Sequence, residues 1–202
     1  MRVATDQAVL VGWTVSKIRP PRYAATFVVK GTFKLRPGLP PTQEDVELET
    51  LGGDIHWDDD DAKSLKYASD FAPMKPRADL MLVGSAHAPG AVPAKSVTVR
   101  FRVGEFSKAI EVIGNRTWEG VISSKTSVPT PFISMPLTYE NTIGGPGDPQ
   151  NPVGQIYKST PPTLNHLQKP GAARELSPAC FGPIPASWKP RNENLGTYNK
   201  KW

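Results

Sequence analysis

From Tyr23 onward apolar and polar side chains alternate. Tyr23, Ala25, Phe27, Val29, Gly31, Phe33 and Leu35 share one parity, and Arg22, Thr26, Lys30, Thr32 and Lys34 share the other. A period of two sends successive side chains to opposite faces of an extended chain, so the pattern predicts a strand with one apolar and one wet face, Val28 alone being out of place. Val9, Val11, Trp13 and Val15 predict a similar strand before it, with Pro20-Pro21 punctuating the connection. The sharpest signal lies between Lys95 and Ile113. Val97, Val99, Phe101 and Val103 alternate with Ser96, Thr98, Arg100 and Arg102, and Gly104-Glu105 supplies a two-residue hairpin loop with glycine first. Pairing Val103 with Phe106 sets Val99 opposite Ile110 and Val97 opposite Val112, and only Lys108, opposite Phe101, interrupts the apolar face. Leu80 to Ser85 predicts one more short strand, entered after Pro73, Pro76 and Arg77.

Past about Trp118 the pattern changes. Thirteen prolines from Pro129 to Pro190 interrupt every stretch long enough for a helix. Trp118, Phe132, Tyr139, Tyr157, Phe181, Trp188, Tyr198 and Trp202 are spread through the same stretch. A segment so rich in aromatics predicts irregular chain packed on a β core and pinned by rings, the alternative being a flexible tail. The expected fold is mainly β: an antiparallel sandwich or partly open barrel over residues 1–118, with 119–202 packed on it as part of a single structural unit.

Composition narrows the class. With 22 Pro and 17 Gly in 202 residues a coiled coil is excluded, and one Cys cannot form an internal disulfide. No basic leader with an apolar core opens the chain and no apolar run reaches about 18 residues, so a cytoplasmic location without membrane insertion is the expectation. The net charge of +5 comes from 24 basic and 19 acidic residues interspersed with one another. A nucleic-acid binder would carry a dense basic stripe, so none is expected as a partner.

Residue chemistry offers few catalytic leads. Asp58 to Asp61 beside His56 invites a calcium reading, but the sixth and twelfth loop positions counted from Asp58 hold Lys63 and Ser69 rather than Gly and Glu, so the run predicts a solvated turn. His56, His87, His166 and Cys180 do not fall at metal-ligand spacing. Cys180 and His166 could pair as a thiolate and base once folded, against which Cys180 lies beside Phe181 between Pro178 and Pro183, a context suited to a small buried side chain. Gly144-Gly145-Pro146-Gly147 lacks the Lys-Ser/Thr of a phosphate loop and the helix that would follow it, so these glycines, with Gly154 and Gly196, predict tight turns. Ser85 lacks the glycines two residues to either side that a nucleophile elbow needs. Asp70, Lys75, Arg77 and Asp79 read as a surface charge network or as a device that fixes a loop. Neither metal nor cofactor is expected.

Several strings in a fixed order resemble a known family, the type VI secretion accessory proteins grouped as domain of unknown function 2169. They are Val29-Lys30-Gly31-Thr32-Phe33; Asp70-Phe71-Ala72-Pro73-Met74-Lys75-Pro76 with Asp79; Val83 to Pro89; Gly114-Asn115-Arg116-Thr117-Trp118; Met135 to Asn141 running into Gly144-Gly145; Asn151-Pro152-Val153-Gly154; and Phe181 to Pro185 with Trp188, Arg191 and Gly196-Thr197-Tyr198. Asn115 stands where the family usually has Asp, Thr142-Ile143 replaces the usual Ala-Phe, and members commonly run on past Tyr198. The resemblance implies a non-enzymatic adaptor or chaperone that binds a protein effector, often one with a PAAR tip domain, and helps load it onto the secretion spike. A structural part of the spike or baseplate is the alternative, and a hydrolase using Cys180 or His87 a more distant one. Arg116, Tyr139, Glu140, Asn141, Arg191 and Tyr198 are the candidate partner-binding residues, since Arg and Tyr are common interface anchors. Their other role would be to hydrogen-bond an irregular backbone that has no ladder of its own.

Overall fold

The computed structural model describes residues 9–19, 21–72, 78–120, 125–166 and 179–189. They fall into two compact units, the first holding residues from 9–55 and 68–78, the second residues 56–67 and those from 79 onward. The fold is mainly β, as expected: several antiparallel sheets, none closed into a barrel, with the described helical pieces limited to three-residue turns of the 3-10 kind.

In the first unit β1 (Leu10–Arg19) and β2 (Arg22–Lys30) pair antiparallel, and β3 (Phe33–Lys34) pairs with β4 (Thr42–Gln43). The alternation from Tyr23 to Leu35 predicts one unbroken strand, whereas the ladder stops at Lys30. Thr32 explains the break, because its peptide and hydroxyl groups are taken by the loop beyond β4. Its carbonyl accepts from Glu44 N at 2.9 Å, its Oγ1 accepts from Leu48 N at 3.0 Å, and its N–H donates to the Glu47 carboxylate.

The face of the β1–β2 ribbon that packs inward is also the reverse of what alternation predicts. Register sets Trp13 opposite Phe27 and Val11 opposite Val29 on one side, and Gly12 opposite Val28 and Thr14 opposite Thr26 on the other. The second side is the half-buried one; Phe27 and Tyr23 on the apolar side are 52 % and 66 % exposed. The cause is Phe71: a Cβ at Gly12 would lie 2.7 Å from Phe71 Cζ, so that ring occupies the polar side of the ribbon.

β5 (Ile55–His56), whose His56 begins the second unit, and β6 (Leu65–Tyr67) flank the acidic turn, and the second unit continues with β7 (Ser85–His87), β8 (Ser96–Val103) and β9 (Phe106–Ile113). The short pair β10 (Trp118–Glu119) with β11 (Lys125–Thr126) follows, then β12 (Ser134–Pro136), paired with β7, and β13 (Leu164–His166), paired with β9. The β8–β9 hairpin has the predicted register throughout, Val103 to Phe106 and Val97 to Val112 included. Gly104 takes φ +57° at the first loop position, a left-handed conformation that glycine adopts at no steric cost. The strand expected over Leu80 to Ser85 lies further on, at β7. Leu82 N instead donates singly to Phe181 O, and Gly84 O accepts from Leu137 N in register with the β7–β12 pairing.

Ile110 and Val112 of β9 are fully buried, and the irregular half of the chain completes their surroundings. Leu137, Tyr139, Leu164, Phe181 and Trp188 belong to the same core as Ala86 and the hairpin. The aromatic segment therefore supplies much of the core rather than covering a finished one. Lys108, the one break in the hairpin's apolar face, stays there by reaching past Phe181: its Nζ lies 5.6 Å from that ring and donates to the Cys180 carbonyl at 2.7 Å. Desolvation pushes its pKa down.

Ile110→Ala should cost about 2 to 4 kcal/mol by denaturant unfolding, because the side chain is enclosed on every side, while the exposed Arg100→Ala should be close to neutral. Equal losses at the two positions would contradict the packing described.

Candidate functional site

The four described partner-binding candidates, Arg116, Tyr139, Glu140 and Asn141, lie in one irregular region of the second unit. Tyr139–Asn141 forms a short 3-10 turn closed by Asn141 N to Thr138 O at 3.2 Å and Thr142 N to Tyr139 O at 3.1 Å. Tyr139 is only 2 % exposed. Its hydroxyl donates to Gly182 O at 2.8 Å, and its ring meets Trp188 edge-on with centroids 5.3 Å apart. Burial drives its phenol pKa well up, the neighbouring Cys180 adding to the effect. Glu140 turns the other way and grips Ser64, accepting from its N–H at 2.6 Å and its hydroxyl at 2.8 Å, which fastens the strand-flanked acidic turn to the core. Asn141 Nδ2 donates to Pro136 O at 3.1 Å, and its carbonyl accepts from Thr163 N at 3.0 Å. Arg116 Nη2 donates to Pro162 O at 2.7 Å. Arg191, Tyr198 and Gly196 lie outside the described residues, as do Lys75 and Arg77.

The hub of the region is a residue that belongs to one of the family strings but not to the candidate partner-binding residues. Asn151, 1 % exposed, points its amide nitrogen at Tyr139 O (2.9 Å), Ile143 O (2.9 Å) and Thr142 Oγ1 (2.6 Å). Two glycines make room for it. A Cβ at Gly144 would fall 2.2 Å from the Asn151 carbonyl oxygen, and one at Gly154 would fall 2.2 Å from Asn151 Nδ2. Gly154 closes a turn as expected, its N–H donating to Asn151 O at 3.2 Å, and both glycines are also needed for close approach. The signal was present as an Asn set between the double glycine and Gly154, but which acceptors it serves depends on the folded path of the chain. Trp118, half-buried, donates through Nε1 to Tyr157 O at 2.9 Å and packs edge-on to that ring at 5.2 Å.

The nucleophile and metal candidates are held apart or engaged elsewhere. Cys180 is buried, and its thiol donates to Leu137 O at 3.2 Å. Burial raises its pKa, the opposite of the depression that activates a thiolate. His166 belongs to β13 by its backbone; its side chain is outside what is described. His87 is exposed on β7. His56 Nδ1 donates to Lys63 O at 2.6 Å, and Asp58 pairs with Lys63 Nζ at 2.5 Å, so the acidic run bonds within its own turn. Among the described residues three or more His, Cys, Asp or Glu side chains nowhere gather as a metal site would require. Asp70 fixes a loop: its Oδ2 accepts from Leu51 N at 2.8 Å and from Lys30 Nζ at 2.9 Å, and Lys30 also donates to Glu49 O at 2.7 Å. Among the described residues no helix is long and apolar enough to cross a membrane.

Residues 22–202 match the family described as "Uncharacterized protein conserved in bacteria (DUF2169)". The chain belongs to this family. No curated protein and no solved structure matches it. The match spans both units, and the strings around Asp70, Tyr139 and Asn151 that first suggested the family contain hydrogen-bonding anchors of the two units.

Asn151→Asp should destabilise the protein by about 3 kcal/mol or more in urea unfolding, since a buried carboxylate would face the two carbonyls the amide now serves. Gly154→Ala should have a loss of similar size, because the added methyl meets the Asn151 amide and the Thr142 carbonyl with no open side. For Cys180 the folded pKa is raised, so its stabilising effect is complete at neutral pH and is lost as pH rises above about 9. The stability gap between the wild type and Cys180→Ala should therefore narrow between pH 8 and about pH 10, and the native thiol should react with an aromatic disulfide reagent only after unfolding.

Proposed function

We propose that the chain is a non-enzymatic adaptor or chaperone that binds a type VI secretion effector, one carrying a PAAR tip domain, and assists its loading onto the secretion spike. The observation that carries this reading is the ordered series of motifs from Val29 to Tyr198, which lies within the stretch matched by the family. Glu140, Tyr139, Asn141 and Arg116 each bond to backbone or to a buried Ser, the structural role their positions also allow, and Cys180 is held as a protonated thiol.

On this reading Tyr139 supports the partner surface from beneath, while the partly exposed Arg116, Glu140 and Asn141 border it. The test is to purify the tagged chain from a bacterium that carries the contractile apparatus and identify what accompanies it. An effector with a PAAR domain should co-purify, and the association should persist when the spike is deleted. At least one of Arg116→Ala, Arg191→Ala and Tyr198→Ala should weaken effector binding by about 1 kcal/mol or more while leaving the melting temperature within a few degrees. Recovery of spike or baseplate without any effector would overturn the adaptor reading in favour of a structural component. Loss of effector delivery in a folded Cys180→Ala or His87→Ala variant would favour an enzyme.

A further inference from the structure

The apolar side of the β1–β2 ribbon has no covering partner among the described residues of its own unit. Trp13 and Phe27 face each other across the two strands at its centre, Val11 and Val29 flank them on one side, and Val15 and Ala25 on the other. Trp13 is 44 % exposed and Val29 68 %, with Val15, Tyr23 and Phe27 between these values. The ribbon cannot roll this face inward, because Phe71 fills the opposite side at Gly12. A lone two-stranded ribbon is marginal in water, and a contiguous apolar stripe of this kind on a soluble chain marks a contact surface.

We propose that the occupant is a second copy of the chain, two ribbons packing these faces together about a twofold axis. At the exposures observed the stripe offers roughly 500 Å² per copy, so a pair buries about 1,000 Å², the lower limit for a specific interface. No charged side chain lies between the Val11–Val29 and Val15–Ala25 pairs, so an identical stripe fits without any counter-charge. Lys17, paired with Tyr23, sits at one end only. An antiparallel twofold arrangement sends the two lysines to opposite ends, where they stay in water, and brings the two Trp13–Phe27 pairs together at the centre. Aromatic side chains clustered at the centre of a patch are the usual source of interface energy. The interface is isologous, so every substitution in it counts twice. An area so close to the limit makes the dimer weak, with dissociation in the micromolar range. This proposal is independent of the adaptor reading.

Sedimentation equilibrium of the full chain between about 1 and 100 μM tests it. The average mass should rise from that of the 22.0 kDa monomer toward twice that value. Phe27→Glu should raise the dissociation constant by about 30-fold or more, whereas Val103→Glu, on the exposed tip of the other unit's hairpin, should leave it unchanged. Should Phe27→Glu fail to fold by circular dichroism, Val29→Lys takes its place. A wild type that stays monomeric over the whole range overturns the proposal, as does equal weakening by Val103→Glu. If the wild type is monomeric but binds an effector that Phe27→Glu releases, the face belongs to the client and self-association is wrong.

Discussion

A buried carbonyl left without a donor costs about as much as a lost hydrogen bond, and the stretch from Pro136 to Thr163 brings several such carbonyls inside without a regular ladder to serve them. Side chains do the serving. Asn151 reaches the carbonyls of Tyr139 and Ile143, and Arg116 that of Pro162. The arrangement works only if Asn151 can enter, so the absence of a Cβ at Gly144 and Gly154 is part of the same constraint. Proline density and glycine spacing, which look like separate features of composition, are therefore linked. Prolines forbid the helix that would have satisfied the backbone internally, and the glycines admit the amide that replaces it.

The regular and irregular parts of the second unit depend on each other through the hairpin. β9 contributes Ile110 and Val112, two side chains with no exposed surface, but Leu137, Leu164, Phe181 and Trp188 are needed to enclose them. Lys108 shows how close the coupling is. A lysine on the apolar face of a free hairpin would be a defect; here its ammonium bonds to the Cys180 carbonyl alongside Phe181, so a charge joins the hairpin to the last described segment. Burial of the ammonium lowers the Lys108 pKa, countered in part by its electrostatic interaction with Cys180.

What could be read from sequence was whatever is decided locally. The β8–β9 register follows from alternation plus a glycine at the one loop position with positive φ, all within 18 residues, and it was legible to the residue. The residue types of the site were legible too, but their roles were not, because each is set by a distant partner: Glu140 binds Ser64, 76 positions away, and Arg116 binds Pro162, 46 away. Motif spacing gives no access to such pairings. Asn151 stands in one of the family strings, but an asparagine among glycines and prolines looks like turn chemistry, and only the folded path of Tyr139 to Ile143 makes it a hub.

The β1–β2 ribbon is the case in which a local rule was overridden outright. Alternation identifies correctly which side chains share a face, but it carries no information about which face is covered; that is decided by what else is near. Here two adjacent residues decide it. Asp70 is anchored by Leu51 N and by the Lys30 ammonium, which also holds the Glu49 carbonyl. That anchoring holds the backbone of the next residue, Phe71, and its ring lies against Gly12 on the polar side of the ribbon. Any larger residue at position 12 would exclude the ring, so the smallest side chain on β1 stands where the ring packs. The exposed aromatic face is thus a consequence of an ion pair and a glycine on the other side. Filling the Gly12 position or releasing Asp70 would remove the physical reason for that face to point outward.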